Sequence, residues 1–410
     1  MFNTSMNRWW TVVAGALGTA LGAGLIMSYA FGILAKSMLA ELGWSRNVAA
    51  DLLGMFLLGM GIGLVALGWL IARFGIRRPT VIFVLIWGFG FAAVALAPAS
   101  MTFLLILFFL IGAGGGAATA MPYTVAISGL FDKHRGLALG LVVAGSGVGA
   151  FSFPQIAERL VDGLGWRAAF AIIGLGSSLI AAAGLAFLVR TPPGVSSRGA
   201  GLPGSAGIFP SWLGSRYFWF IALPIMAISV TAFGMVSSYV FLFADRGIPA
   251  ATVTLILSLG GLASLAGRLV VGYLLDRIFA PYVAAVVFAL AALGVLLLMF
   301  TPWTAATLIG VSLISLALGA EADILAFLVS RYFSLAEFSR VVSVVWVIWA
   351  WAGGVGTAII SMSYRLTHAY TPALWFFVAI VSSAAILICF IGPYRYPVDR
   401  RRDTHPDLPR

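Results

Sequence analysis

The sequence predicts an all-α membrane protein of twelve transmembrane helices arranged as two pseudo-symmetric six-helix bundles. Three observations carry that prediction. The chain has 410 residues, of which 62% are hydrophobic and only 9% charged, against about 25% charged in an ordinary soluble domain. Apolar runs of helix-spanning length recur between short breaks rich in charge, Gly or Pro, and about 20 residues suffice for one crossing. The breaks of the second half repeat the pattern of the first.

The first six runs lie near 9–34, 47–71, 79–98, 101–129, 136–160 and 168–189. The first follows Arg8 and is too long for the apolar core of a signal peptide, so it reads as a span. The second six lie near 217–243, 251–275, 281–300, 304–330, 341–363 and 372–392. Between the sets, residues 190–216 are rich in Gly, Pro and Ser and read as a linker. The expected organisation is therefore a bundle over 1–189, a linker over 190–216, a bundle over 217–392 and a polar tail over 393–410.

Charge sets the expected orientation. Of the 24 basic residues, seventeen fall in the breaks on the side of the termini. Six (Lys36, Arg46, Arg159, Arg167, Arg246 and Arg365) fall on the other side, and Arg268 lies within a span. By the positive-inside rule both termini are cytoplasmic, in a bacterial inner membrane. The formal charge of +11 is thus a matter of topology and does not indicate nucleic acid. A lone Cys389 and three scattered histidines offer no disulfide framework, no metal site and no cofactor. No Walker motif or nucleophile–base constellation appears, so neither ATP hydrolysis nor an enzyme is expected.

The repeated breaks carry recognisable residues. Gly68-Trp-Leu-Ile-Ala72-Arg73-Phe-Gly75-Ile-Arg77-Arg78 follows span two, and Gly272-Tyr-Leu-Leu-Asp276-Arg277 follows span eight. They resemble the Gly-x-Leu-x-Asp-Arg-x-Gly-Arg-Arg signature of the major facilitator superfamily, with Ala72 where the acid usually stands. Ser28-Tyr29-Ala30-Phe31, Arg135-Gly136-Leu137-Ala138, Gly165-Trp166-Arg167, and Arg268 with Gly272 are similar to the monocarboxylate and oxalate–formate branch. The resemblance implies alternating access with a site between the halves. It also implies a cytoplasmic gate formed by Arg73, Arg77, Arg78, Asp276 and Arg277, although the same arginines serve equally as topology determinants.

Arg268 is the most informative single residue. An ionised Arg deep in a span costs at least about 2.5–3.5 kcal/mol, less if its head snorkels. It is either a structural ion pair or a fork that clamps a carboxylate through two hydrogen bonds; the resemblance to monocarboxylate transporters favours the clamp. Those relatives carry an Asp four residues earlier, where this chain has Ser264. Span ten offers two acids, Glu321 and Asp323, set about 200° apart around the helix. Asp323 shares its face with Ser315, Gly319, Phe327 and Ser330 and is the first choice for an ion pair or proton coupling. Glu321 shares its face with Ile314, Ala317, Leu325 and Leu328.

Span eleven has no Lys or Arg, unlike the two-cation arrangement of the oxalate branch, and one cation suits a monoanion. Ile33 stands where relatives place a coupling Lys, so a proton would ride on Asp323, Glu321 or the substrate. Tyr29, Tyr123 and Phe327 are expected to shape the cavity, with packed aromatics as the alternative for the tyrosines. The expected function is secondary transport of a small organic monocarboxylate with a proton. The alternatives are an exporter of amphipathic drugs or metabolites and a non-transporting sensor. The lipid bilayer is the other expected partner.

Overall fold

A computed structural model describes residues 6–116, 118, 123, 127, 130, 135–188, 211–301 and 303–396. Among these the architecture is helical throughout. The first crossing is made in three pieces, α1 (Met6–Ala20), α2 (Ala23–Tyr29) and α3 (Phe31–Leu42). It breaks at Gly22, whose backbone is extended, and again at Ala30. In hydrocarbon a broken helix must satisfy its freed backbone groups inside the protein. The Ala23 amide does so by donating to the Ala118 carbonyl of the fourth crossing at 3.2 Å. Tyr29 sits beside the second break.

Helices α4 (Asn47–Phe74), α5 (Arg77–Ala93) and α6 (Met101–Gly115) are the next three crossings. The rest of the fourth run, up to residue 134, lies largely outside the described residues, as does most of the linker. Helix α7 (Arg135–Phe187) contains two crossings joined at Gly165. Its φ of 80° and ψ of 165° are accessible to glycine. Six single crossings follow: α8 (Arg216–Asp245), α9 (Ala250–Leu275), α10 (Ala280–Phe300), α11 (Thr304–Tyr332), α12 (Leu335–Thr367) and α13 (Thr371–Cys389). Where they are described, the helices match the expected spans to within a few residues, except that the first crossing continues to Leu42 and the eleventh runs from Leu335 to Thr367.

The outer surface bears Leu, Ile, Val, Phe and Trp side chains such as Ile62, Val65, Phe89, Leu179, Leu269 and Val286. Lipid tails are as apolar as these groups, so the helices associate through close packing instead. The small residues supply it. A Cβ on Gly319 of α11 would overlap the Ser264 carbonyl of α9, and one on Gly267 would overlap the Leu316 carbonyl. The two helices therefore touch backbone to backbone around Arg268. Between the halves, a Cβ on Gly261 of α9 would meet Ala150 of α7.

All three ion pairs among the described residues lie at the end of the molecule opposite the termini. Arg167 with Glu41 stays within the first half. Arg46, before α4, pairs with Asp245 at the end of α8, and Asp51 of α4 pairs with Arg365 of α12. These two join the halves.

Candidate functional site

The site is built on α9 and α11, against the break in the first crossing. Arg268 follows Ser264 by one turn and Gly261 by two on one face of α9. Ser264 is pressed on α11 and Gly261 on α7, so this face looks along the seam between the halves. The Arg268 side chain is half-buried and makes no hydrogen bond or ion pair among the described residues. Asp323 is likewise half-buried and unpaired. Both Asp323 and Glu321 lie close enough to Arg268 to act on it electrostatically, yet beyond ion-pair distance.

Glu321 is fully buried, on the apolar side of α11. One carboxyl oxygen accepts from the Trp349 indole N–H of α12 at 2.7 Å. The other has no hydrogen-bond partner among the described residues. Trp349 is itself fixed on two sides: its carbonyl accepts from the Ser229 hydroxyl of α8 at 2.7 Å, and its ring stands edge-on to Phe233 at 5.2 Å. Glu321 is therefore held by helices of the second half alone.

Tyr29 brings the first half to this place. Its hydroxyl is buried beside the Ser264 and Ser315 hydroxyls, and within electrostatic reach of Arg268 and Glu321, but without hydrogen-bonding geometry to any of them. Thus Arg268, Glu321, Asp323 and Tyr29 come together. Tyr123 and Phe327 make other contacts. Tyr123 fills the notch left by Gly15 and Gly18 of α1 and is buried. Phe327, one turn beyond Asp323, lies under the Arg331 guanidinium at 4.8 Å and edge-on to Tyr394 at 6.5 Å.

The residues expected at a cytoplasmic gate are all exposed at the end bearing the termini. Arg73 lies over the rings of Trp69 and Phe74, and Arg277 over that of Tyr273 at 4.1 Å. Arg77 and Arg78 open α5, and Asp276 caps α9. No ion pair joins any of them among the described residues.

Sequence reasoning missed Trp349 as the partner of Glu321 and Tyr239 as a buried polar group. It also missed the two latches between the halves, because Arg46 and Arg365 were weighed only for topology. Opposite charges in facing breaks, Arg46 with Asp245 and Asp51 with Arg365, were the available signal.

The sequence pattern of the Major Facilitator Superfamily matches residues 15–357. The chain belongs to that superfamily. It is a multi-pass integral membrane transporter with the major facilitator fold. Among relatives, it is 22% identical over 344 residues to the uncharacterized MFS-type transporter YhjX of Escherichia coli K12. That match covers 82% of this chain and 84% of the relative. It is 26% identical over 204 residues to monocarboxylate transporter 13 of Bos taurus, covering 49% of this chain and 46% of that one. A crystal structure of a bacterial homolog of the human lysosomal transporter Spinster superposes with a TM-score of 0.72 over 95% of this chain and 97% of that one. At 17% identity that likeness concerns the fold alone.

Proposed function

We propose that this major facilitator is a secondary active transporter of a small organic monocarboxylate, coupled to a proton, working by alternating access. The observation that carries the reading is Arg268, a charged guanidinium with no ion pair or hydrogen bond among the described residues, held half-buried at the seam between the halves. Such a charge is costly inside a membrane protein unless something compensates it, and a carboxylate does so with two parallel hydrogen bonds. The partial likeness to monocarboxylate transporter 13 supports the same substrate class.

Asp323, unpaired near Arg268, compensates its charge when no substrate is present. Glu321, with one bare oxygen in a buried site, is the second group able to take up a proton. Tyr29, Tyr123 and Phe327 shape the path. With the termini cytoplasmic in a bacterial inner membrane, the two ion pairs between the halves close the periplasmic end, and this arrangement is inward-facing. The outward-facing state breaks those pairs and brings Arg73, Arg77 and Arg78 against Asp276 and Arg277. In this reading the membrane and the two small cargoes are the only partners.

Proteoliposomes test it. Radiolabelled lactate, pyruvate or glycolate enters faster with an inward acid gradient, and Arg268→Ala abolishes uptake at unchanged protein content. Uptake indifferent to the gradient removes the proton. Wild-type rates in Arg268→Ala remove the clamp.

A further inference from the structure

At the end opposite the termini, the last turns of α8 and α10 and the start of α13 enclose a cavity of about 190 Å³. Its floor is Leu242 and Leu374, both buried, and its rim is Phe300, Thr371 and Trp375, all exposed. Every residue lining it belongs to the second half. Exposed Leu293 shares a face of α10 with Phe300, and exposed Ile386 shares a face of α13 with Trp375. The cavity therefore opens on the lipid-facing side. It lies where these helices end, beside the exposed Trp303 and Trp375, and tryptophans of that kind mark headgroup depth. Its volume is below the roughly 300–1,000 Å³ of a site that engulfs a drug-sized ligand. It suits one end of a molecule whose remainder lies outside.

Arg246 is the charged wall. It donates to the Thr301 carbonyl at 3.3 Å and to the Leu298 carbonyl, both at the end of α10. A guanidinium carries five donors, so those two bonds leave most of them over. No acid pairs with Arg246 among the described residues, and the neighbouring Asp245 is taken by Arg46. The negative end of α10 offsets part of the charge. The positive end of α13 restores it, because that helix begins at the rim with Thr371 and has no capping side chain. The hydroxyls of Tyr370 and Thr371 add further donors. The cavity thus carries the field of about one cation.

We propose that this cavity binds the phosphate of an anionic phospholipid, in the leaflet at the end opposite the termini, with the acyl chains lying along Leu293 and Ile386. An arginine fork and a helix N-terminus are both groups that recognise phosphate, and the apolar faces below them suit chains. The site is independent of the transported solute. It adjoins the ion pair of Arg46 with Asp245 on two sides. Arg246 follows Asp245 in the chain, and the Tyr370 ring packs on Tyr364 at 4.9 Å, which lies under the Arg46 guanidinium at 4.9 Å. A lipid that binds Arg246 and Tyr370 as they stand here shifts the population toward the arrangement with this pair closed.

The test titrates delipidated, purified protein with phosphatidylglycerol and counts bound molecules by native mass spectrometry, with phosphatidylcholine and glycerol 3-phosphate as the other arms. Wild type binds the first phosphatidylglycerol at least about tenfold tighter than either, the scale of one charge-assisted hydrogen bond. Thr371→Asp puts an acid at the rim, where the helix N-terminus favours it. Its lipid-free melting temperature is therefore equal to or above that of wild type, while its affinity for phosphatidylglycerol falls by about tenfold or more. Arg246→Gln, whose amide still donates to a carbonyl of α10, shows the same fall and decides the matter if Thr371→Asp melts lower. In proteoliposomes, phosphatidylglycerol in place of phosphatidylcholine lowers thiol labelling of Ser237→Cys, in a Cys389→Ser background, by up to about fivefold, the scale of one partly exposed ion pair. Adding Thr371→Asp abolishes that response. Equal affinity for the two lipids, or unchanged affinity in the variants, overturns the site. Glycerol 3-phosphate bound as tightly as phosphatidylglycerol marks a site for free phosphate esters and overturns the lipid assignment. Labelling indifferent to a lipid that does bind overturns the link to the ion pair alone.

Discussion

Asp51 of α4 pairs with Arg365 of α12, and its other carboxylate oxygen accepts from the Ser361 hydroxyl at 3.0 Å. One side chain of the first half thus grips two of the second. Five residues earlier, Arg46 crosses to Asp245 and lies over the Tyr364 ring at 4.9 Å. The signs are opposite: the first half gives a cation to one pair and an anion to the other. Sliding the halves past each other would therefore bring like charges together.

This double latch predicts a shift in conformational population. Partly exposed pairs are each worth about 0.2–1 kcal/mol, so Asp51→Asn raises the population open at this end by less than about fivefold. Exchanging the charges, Asp51→Arg with Arg365→Asp, restores it. A cysteine at Ser237, beneath the latch, placed in a Cys389→Ser background, reports the change through an impermeant thiol reagent. Labelling that does not rise in Asp51→Asn removes the latch. High salt acts in the same direction as the mutation.

Arg268 gives the sharpest functional contrast. Lys retains the charge but not the planar fork. Arg268→Lys is expected to transport with KM raised by roughly tenfold or more, the loss of one charge-assisted hydrogen bond, whereas Arg268→Ala is inactive. A Lys variant with wild-type KM shows that a point charge suffices and that two-point recognition is not used.

Glu321 and Trp349 separate coupling from transport. In Glu321→Gln the amide oxygen still accepts from the Trp349 indole, so the fold is kept while the titrating group is lost. Gradient-driven uptake should fall at least about tenfold, the scale of losing a positioned proton carrier, while exchange of labelled for unlabelled substrate continues. Trp349→Phe instead strips Glu321 of its one partner, and a drop in stability of about 1–3 kcal/mol is expected for the orphaned group. Gradient-driven uptake unchanged in Glu321→Gln assigns any proton to Asp323 or to the substrate.

The fold was legible because apolar run length and the sidedness of Arg and Lys are properties of the chain itself. The difference in burial between the two acids of α11 was legible too. A spacing of two residues puts Glu321 and Asp323 on different faces, and the one set among leucines is buried while the one set among small and polar residues is not. What could not be read was anything dependent on register between helices. Trp349 was one of three tryptophans in its span, and only the packing of α12 on α11 brings its indole to Glu321. Trp351, two residues on, donates instead to the Leu58 carbonyl of the other half at 3.3 Å. The break at Tyr29 was hidden for a similar reason. The earlier break, at Gly22, rests on the bond from the Ala23 amide to the Ala118 carbonyl, 95 residues away.

Glu41, exposed in the last turn of α3 and past the apolar stretch Trp9–Tyr29 of the first crossing, offers a pH test. Hydrogen bonds from Arg167 and from the Trp166 indole N–H, the latter at 2.6 Å, hold its carboxyl below the usual carboxylate range. A carboxyl with a lowered folded-state pKa stabilises the fold fully above its unfolded value, near 4.5. That contribution disappears as pH falls through the folded value. The melting temperature of wild type should therefore fall more steeply below about pH 5 than that of Glu41→Gln, and the two curves should converge at low pH. Curves that stay parallel show that the pair contributes nothing measurable, as many exposed pairs do.

The close contact of α9 with α11 makes the last prediction, and it concerns backbone where the others concern side chains. A methyl group at Gly319 would overlap the Ser264 carbonyl, and a helix carbonyl cannot swing aside as a flexible side chain can. The helices must part, one turn from Arg268 and Asp323. Overpacking of this kind costs about 1–3 kcal/mol, so Gly319→Ala should melt lower and also transport more slowly, because Arg268 is displaced relative to Asp323. Gly176→Ala is the control, as nothing lies within 4 Å of the added carbon. In a helix interior that change should be neutral or stabilising by up to roughly 1 kcal/mol. If the two variants melt and transport alike, the contact around Gly319 does not position the site, and Arg268 and Asp323 are held by something other than helix proximity.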